Sequence, residues 1–144
     1  MNIKRITTHL LKLYRRKERI LKAKYEDGYL VTDGYIMFYL KSNEMEINPE
    51  LIRDDSRLIN EWSKAIKNSY RLEYELSQKK YGKITDKYSN KEFGINVYIA
   101  ENMFQFFDLY SIELYGRTPV SPVAVKKGEE IIAAICPIRM IDEF

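Results

Sequence analysis

Apolar residues recur at helical spacing over residues 3–17 of the chain. Ile3, Ile6, Leu10, Leu13 and Tyr14 fall within an arc of about 100° when each residue turns roughly 100° about the axis. Lys4, Arg5, Lys12, Arg15 and Arg16 occupy a separate arc of about 120° on the same projection. The pattern predicts an amphipathic helix with one face for a core and a basic face turned away from it. From residue 20 the period shortens. Runs at 20–25, 28–32 and 35–40, rich in Tyr, Ile, Val and Phe, read as strands of an antiparallel meander. Glu26-Asp27-Gly28 and Asp33-Gly34 supply the tight turns, with glycine expected at positive φ.

Further on, Asn48-Pro49 reads as a helix start, a capping residue followed by proline. Asp54, Asp55 or Ser56 is placed to cap the next helix, whose apolar stripe is Leu58, Ile59, Trp62, Ala65 and Ile66. Tyr70, Leu72, Tyr74 and Leu76 alternate with polar residues, as in a half-buried strand. Residues 78–92 are polar and read as a hairpin or mobile loop. A strand at 94–99 and a short helix at 100–108 burying Met103, Phe106 and Phe107 come next. Strands at 111–115, 120–126 and 130–138 complete the chain, with Lys127-Gly128 as the last turn. The expectation is an α+β fold: two helix-plus-antiparallel-meander units with a helical connector, in a single domain spanning 1–144. The first unit covers 1–42, the connector and hairpin 43–92, and the second unit 93–144. Two units of one pattern amount to an internal pseudo-repeat.

These residues resemble the bacterial DNA polymerase III sliding clamp, each domain of which is built from two helix-plus-strands units. Tyr29-Leu-Val-Thr-Asp-Gly34 followed by Tyr35-Ile-Met-Phe-Tyr39 is similar to the clamp's strand, turn and strand. Ile95-Asn-Val-Tyr98 through Phe107, Ser111-Ile-Glu-Leu-Tyr115 and Ser121-Pro-Val-Ala-Val125 are similar to its last domain. The stretch Ile135-Cys-Pro-Ile-Arg-Met140 resembles the family's chain end. The likeness covers roughly 90 residues of the 144 in two blocks, with 43–91 unmatched. It implies a DNA-clamp-like domain whose helices turn basic side chains toward DNA, as the face over 4–16 does. The second helix departs from that pattern: it carries Glu101 and Asp108, and no Lys or Arg stands between Glu92 and Gly116. A clamp ring needs several such domains and this chain supplies one, so the resemblance implies a clamp-derived binding module.

Charge sharpens the picture. Residues 1–24 hold nine Lys and Arg against Glu18 alone, while the whole chain is only +3. A basic arm on a mildly acidic body invites a polyanion at one end. The segment 44–61, with six acids against Arg53 and Arg57, is suited to a basic partner or to solvent. The richness in Lys, Ile, Asn and Tyr points to an AT-rich coding sequence, as in a low-GC bacterium, its phage or a mobile element.

Familiar catalytic constellations are hard to build here. His9 is the sole histidine, which removes Ser-His-Asp, paired-His zinc and HExxH sites together. Cys136 is the sole cysteine; it excludes an intrachain disulfide and reads as a small hydrophobe inside an apolar strand. No glycine-rich phosphate loop is present. The carboxylate pairs Glu44/Glu46, Asp54/Asp55, Glu129/Glu130 and Asp142/Glu143 leave a metal-dependent nuclease as a minor reading. Gln105-Phe-Phe-Asp-Leu109 looks faintly like peptides that dock on clamps, but its aromatics suit a core. The longest apolar run, 131–138, is far short of the roughly 20 residues of a bilayer span, and no apolar stretch follows the basic start as in a secretory signal. A cytoplasmic protein is expected, with no catalytic residue, metal or cofactor.

The reading is a non-catalytic binding protein of phage or mobile-element origin. Its partner is nucleic acid or a nucleic-acid-handling host protein, held through Lys4, Arg5, Lys12, Arg15, Arg16 and Arg19. An inhibitor of a host defence nuclease, of the anti-CRISPR kind, is the alternative. A solvated helix face is the plain account of the same charges. Aromatics are not interleaved with them, so base stacking is not indicated. Oligomeric state, homodimer included, stays open.

Overall fold

Helix α1 spans Ile3–Arg15 in the computed structural model, which describes residues 1–75 and 85–138. Asn2 caps it, its Oδ1 accepting from the Arg5 N–H at 3.1 Å. The helix stops two residues short of the sequence expectation because Lys17 turns left-handed, with φ 57°. There the Lys17 N–H donates to the Tyr14 carbonyl and the Glu18 N–H to the Leu13 carbonyl, both at 3.0 Å. This is a Schellman end built without glycine.

Strands β1 (Leu21–Tyr25), β2 (Gly28–Thr32) and β3 (Ile36–Lys41) form the expected meander. Its first turn differs from expectation in one residue. Glu26, not Gly28, takes positive φ, at 50°. Gly28 is required for a different reason: a Cβ there would lie 2.2 Å from the Leu40 carbonyl oxygen. Gly34 does take the expected positive φ, at 97°.

The connector supplies strands as well as a helix. After a 3-10 turn at Pro49–Leu51, capped by Asn48, the two-residue β4 (Arg53–Asp54) lies parallel to β1. Helix α2 (Arg57–Ala65) follows. Ser56 holds the N-cap position without a side-chain bond, and Asp55 before it supplies one, its Oδ1 accepting from the Arg57 N–H at 3.0 Å. Leu58, Trp62 and Ala65 are buried, whereas Ile59 and Ile66 are 38 % and 41 % exposed, so the apolar stripe meets the sheet along a single line. Strands β5 (Tyr70–Glu75), β6 (Thr85–Asn90) and β7 (Ile95–Ala100) come next. Of the expected hairpin or loop over 78–92, the part beyond residue 84 is therefore a strand and the start of its turn to β7; the rest lies outside the described residues.

A 3-10 helix at Glu101–Phe106 precedes β8 (Glu113–Gly116), β9 (Val123–Lys127) and β10 (Glu130–Ile135). β10 ends earlier than expected. Cys136, expected inside the strand, lies just past it and is exposed, its N–H donating to the Tyr35 carbonyl at 2.8 Å. Arg139 and Met140 of the clamp-like chain end lie outside the described residues.

Among the described residues the strands form one sheet of ten in the order β4-β1-β2-β3-β10-β9-β8-β5-β6-β7. The two meanders meet edge to edge through the antiparallel β3–β10 pair, Ala133 opposite Phe38 and Ile135 opposite Ile36. Each meander is preceded by its helix, and α1 and the 3-10 helix share one face of the sheet and one core. β7, expected to open the second unit, pairs with β6 instead and stands at the sheet's edge.

The sheet curls around that core. The Ile138 N–H donates to the Tyr98 carbonyl of β7 at 2.7 Å, only three residues past the end of β10. In a flat sheet the five strand spacings from β10 to β7 would amount to roughly 24 Å, whereas three residues reach about 10 Å. The inner core gathers Ile6, Leu10, Val31, Phe38, Val97, Ile99, Phe106, Val125 and Ile135. Burying each such side chain contributes about 1.5–3 kcal/mol. α2 covers the opposite face with Trp62 against Tyr25 and Tyr39. Among the described residues no helix is long and apolar enough to cross a membrane.

Candidate functional site

Burial of Ile6 and Leu10 fixes the rotation of α1 and thereby the direction of its charges. Lys4, Arg5, Lys12, Arg15 and Arg16 are all exposed, as is Arg19 in the segment leading to β1. None of the six pairs with an acid among the described residues. The placement is not what helix stability favours. The first turn carries Lys4 and Arg5 and no acid, although the amino end of a helix dipole prefers negative charge. Lys12 and Arg15 in the last turn do suit the dipole.

The basic arm is smaller than its composition. Lys22, counted among the nine, is only 7 % exposed, and its Nζ donates to the Ile52 carbonyl at 3.0 Å and to Asp54 Oδ1 at 2.7 Å. It ties β1 to β4 and is not offered to a partner. Arg19 keeps its exposure, yet its field reaches Asp55. That carboxyl is lowered to about 2, first by hydrogen bonds from Arg57 and in smaller part by the charges of Arg57 and Arg19.

His9 sits at the side of α1 against the β2–β3 turn. Its Nε2 lies 2.8 Å from Asp33 Oδ2, and its ring is tilted against Phe106 with centroids 5.2 Å apart. Asp33 Oδ1 accepts from the Tyr35 and Ile36 N–H groups at 2.8 and 3.0 Å. Burial alone would push the Asp33 carboxyl up. The His9 hydrogen bond and the two backbone donors outweigh it and hold the group below its usual range. The pair pins the helix to the turn.

Compared with protein-family models, curated proteins and solved structures, the chain matches none.

Beside the His9–Asp33 pair a cleft of about 340 Å³ opens between α1, the β2–β3 turn and the 3-10 helix. Leu13, Met103 and Phe106 line it, together with Arg19 and Tyr35, and Tyr35 is 68 % exposed. Sequence reasoning missed this neighbourhood. Tyr35 and Arg19 are separated by two strands, and no local spacing signals that the β2–β3 turn folds back beside the end of α1.

The other candidate chemistry is dispersed. Among the described residues no three His, Cys, Asp or Glu side chains come together, and Asp142/Glu143 lie outside those residues. Glu44 accepts from the Lys41 N–H, Asp54 from Lys22 and Asp55 from Arg57, so these carboxylates are engaged within the fold. The Cys136 thiol is half desolvated although the residue reaches solvent; that desolvation, with the charges of Glu61 and Asp33, pushes it up and disfavours the thiolate a nucleophile requires. Phe106 and Phe107 of the clamp-peptide-like stretch are buried.

Proposed function

We propose that this chain is a non-catalytic binding protein that holds nucleic acid by its phosphates along the exposed face of α1. One observation carries the reading. Lys4, Arg5, Lys12, Arg15 and Arg16 stand together on a helix whose opposite side is anchored in the core, unpaired among the described residues and partly against the helix dipole. A folded scaffold that holds several cations in one row suits a repeating polyanion and needs no sequence reading. Two helix-led meanders in one sheet, both helices on one side, support a clamp-derived module of this kind. The engaged His9 and the disfavoured Cys136 thiolate support a binding role over catalysis.

The test is a gel shift on duplex DNA titrated with salt. Each phosphate contact contributes about 0.9 to the slope of log affinity against log salt. Reversing Arg15→Glu and Arg16→Glu is expected to reduce that slope by about 2 and to weaken binding without lowering the melting temperature. A double variant that binds like the wild type at every salt concentration means the face is merely solvated.

A further inference from the structure

The cleft beside α1 has the wrong charge for a phosphate and the right surface for a base. Its volume, about 340 Å³, belongs to the range of small-ligand sites, which combine apolar walls with a few polar groups. Leu13, Met103 and Phe106 give the apolar walls. Arg19 and Glu18 both line the cleft, so their charges offset. Both Asp33 oxygens are already engaged: Oδ1 takes two backbone N–H groups and Oδ2 faces His9. What remains for a ligand is His9 Nδ1, which has no partner among the described residues, and the amides of Asn102 and Gln105. These are hydrogen-bonding groups without surplus positive charge. Tyr35 adds an aromatic ring that is mostly in solvent. With Arg19 and His9 offset by Glu18 and Asp33, no surplus cation favours an anion, whereas a flat, neutral ring with polar edges can use the apolar walls, the amides and the Tyr35 ring together.

We infer that the cleft receives a nucleobase from a single strand, while the phosphates on either side of it run along Lys12, Arg15 and Arg16. Arg19 lines the cleft and follows the carboxyl end of α1, so the two surfaces are neighbours. The inference rests on the proposed nucleic-acid reading and deepens it. A paired base inside a duplex cannot present its face and edges in this way; an unstacked base in a single strand can.

Fluorescence anisotropy on the full chain separates the two readings. The probes are a labelled single-stranded DNA, the same strand with abasic sites, and the duplex. The intact strand is expected to bind about tenfold more tightly than the abasic one, the scale of one base stacked on an aromatic ring. Tyr35→Ala is expected to erase that preference and Tyr35→Trp to preserve it, with duplex binding equal in both. Because the Tyr35 ring is 68 % exposed, neither change threatens the fold. Equal binding of intact and abasic strands, or a preference that survives Tyr35→Ala, overturns the base site. In that case salt-dependent duplex binding leaves the basic face standing. Competition by a free nucleoside monophosphate as effective as the strand itself overturns the strand assignment. Absence of binding to all three probes at low salt overturns both readings.

Discussion

α1 and the 3-10 helix at Glu101–Phe106 hold equivalent places. Each precedes a three-stranded meander, both lie on one face of the sheet, and the Asn2 N–H at the start of α1 donates to the Phe106 carbonyl at 2.7 Å. Their surfaces are opposite in character. α1 has 13 residues; Ile6 and Leu10 are buried, Ile3, Leu11 and Leu13 pack partly against the core, and the opposite face is open to charge. The 3-10 helix has six residues and, with Phe107 after it, places Phe104, Phe106 and Phe107 in the core. A 3-10 helix stacks residues i and i+3 on one side, which aligns Phe104 with Phe107. Extended backbone at Phe107, φ −130° and ψ 153°, ends the helix at that point. A helix long enough to need only one stripe for packing has a long surface left for a partner; the short one gives its aromatics to packing and keeps only Asn102, Met103 and Gln105 beside the cleft. Topological position alone thus says little about function.

The sharpest way to break this comparison is to remove the packing on each side. Phe106→Ala is expected to cost about 3–5 kcal/mol and Leu10→Ala about 2–5 kcal/mol, measured by urea denaturation. Phe106 touches His9, Phe38 and Phe107, so its loss opens a cavity beneath both helices. A cost below about 1 kcal/mol at Phe106 would mean that the 3-10 helix is a surface turn and not a plug.

The join between the two regions is tested next, through the His9–Asp33 pair. His9→Ala leaves Asp33 Oδ2 without its partner in a nearly closed site, 7 % exposed, and is expected to cost about 2 kcal/mol. Acid adds an independent check. The folded Asp33 carboxyl lies below its unfolded value, so its contribution is fully present above about pH 4 and fades as pH falls through the folded value. Asp55, lowered to about 2, acts in the same direction over the same acidic window. Thermal melts between neutral pH and pH 2 should fall steeply below about pH 4, and less steeply in His9→Ala. Parallel curves for the two proteins would show that the pair does not set the Asp33 carboxyl.

Much of this architecture was legible because it rests on local signals. The 3.6-residue period of Ile6, Leu10 and Leu13, the glycine of Asp33-Gly34 and the alternation through Leu72 each report one element. The α+β class follows from those elements in order. What stayed hidden depends on long-range contact. Nothing near Gly28 in sequence announces the Leu40 carbonyl that forbids a Cβ there. Lys22 looks like one more cation until Ile52 and Asp54 close over it. The basic face was legible as a period; the cleft was not, since Tyr35 and Asn102 reach Arg19 only through the folded sheet.

The smallest expected effect concerns where α1 ends, and with it how far the basic face extends. Lys17 is held at φ 57°, a left-handed conformation that costs a side-chain-bearing residue about 1–2 kcal/mol and glycine little. Its N–H and that of Glu18 close the helix on the Tyr14 and Leu13 carbonyls, so the turn itself is worth keeping. Lys17→Gly should therefore stabilise the protein by about 1 kcal/mol, visible as a higher denaturation midpoint with an unchanged slope. The same change removes an exposed cation at the edge of the face. If the row of charges ends at Arg16, as the turn of the chain at Lys17 implies, the salt slope for duplex binding stays within about 0.3 of the wild type, well under one phosphate contact. A loss of about 0.9 would extend the face through Lys17 to Arg19. A destabilised Lys17→Gly variant would refute the helix end itself, and with it the register that aligns Lys12, Arg15 and Arg16.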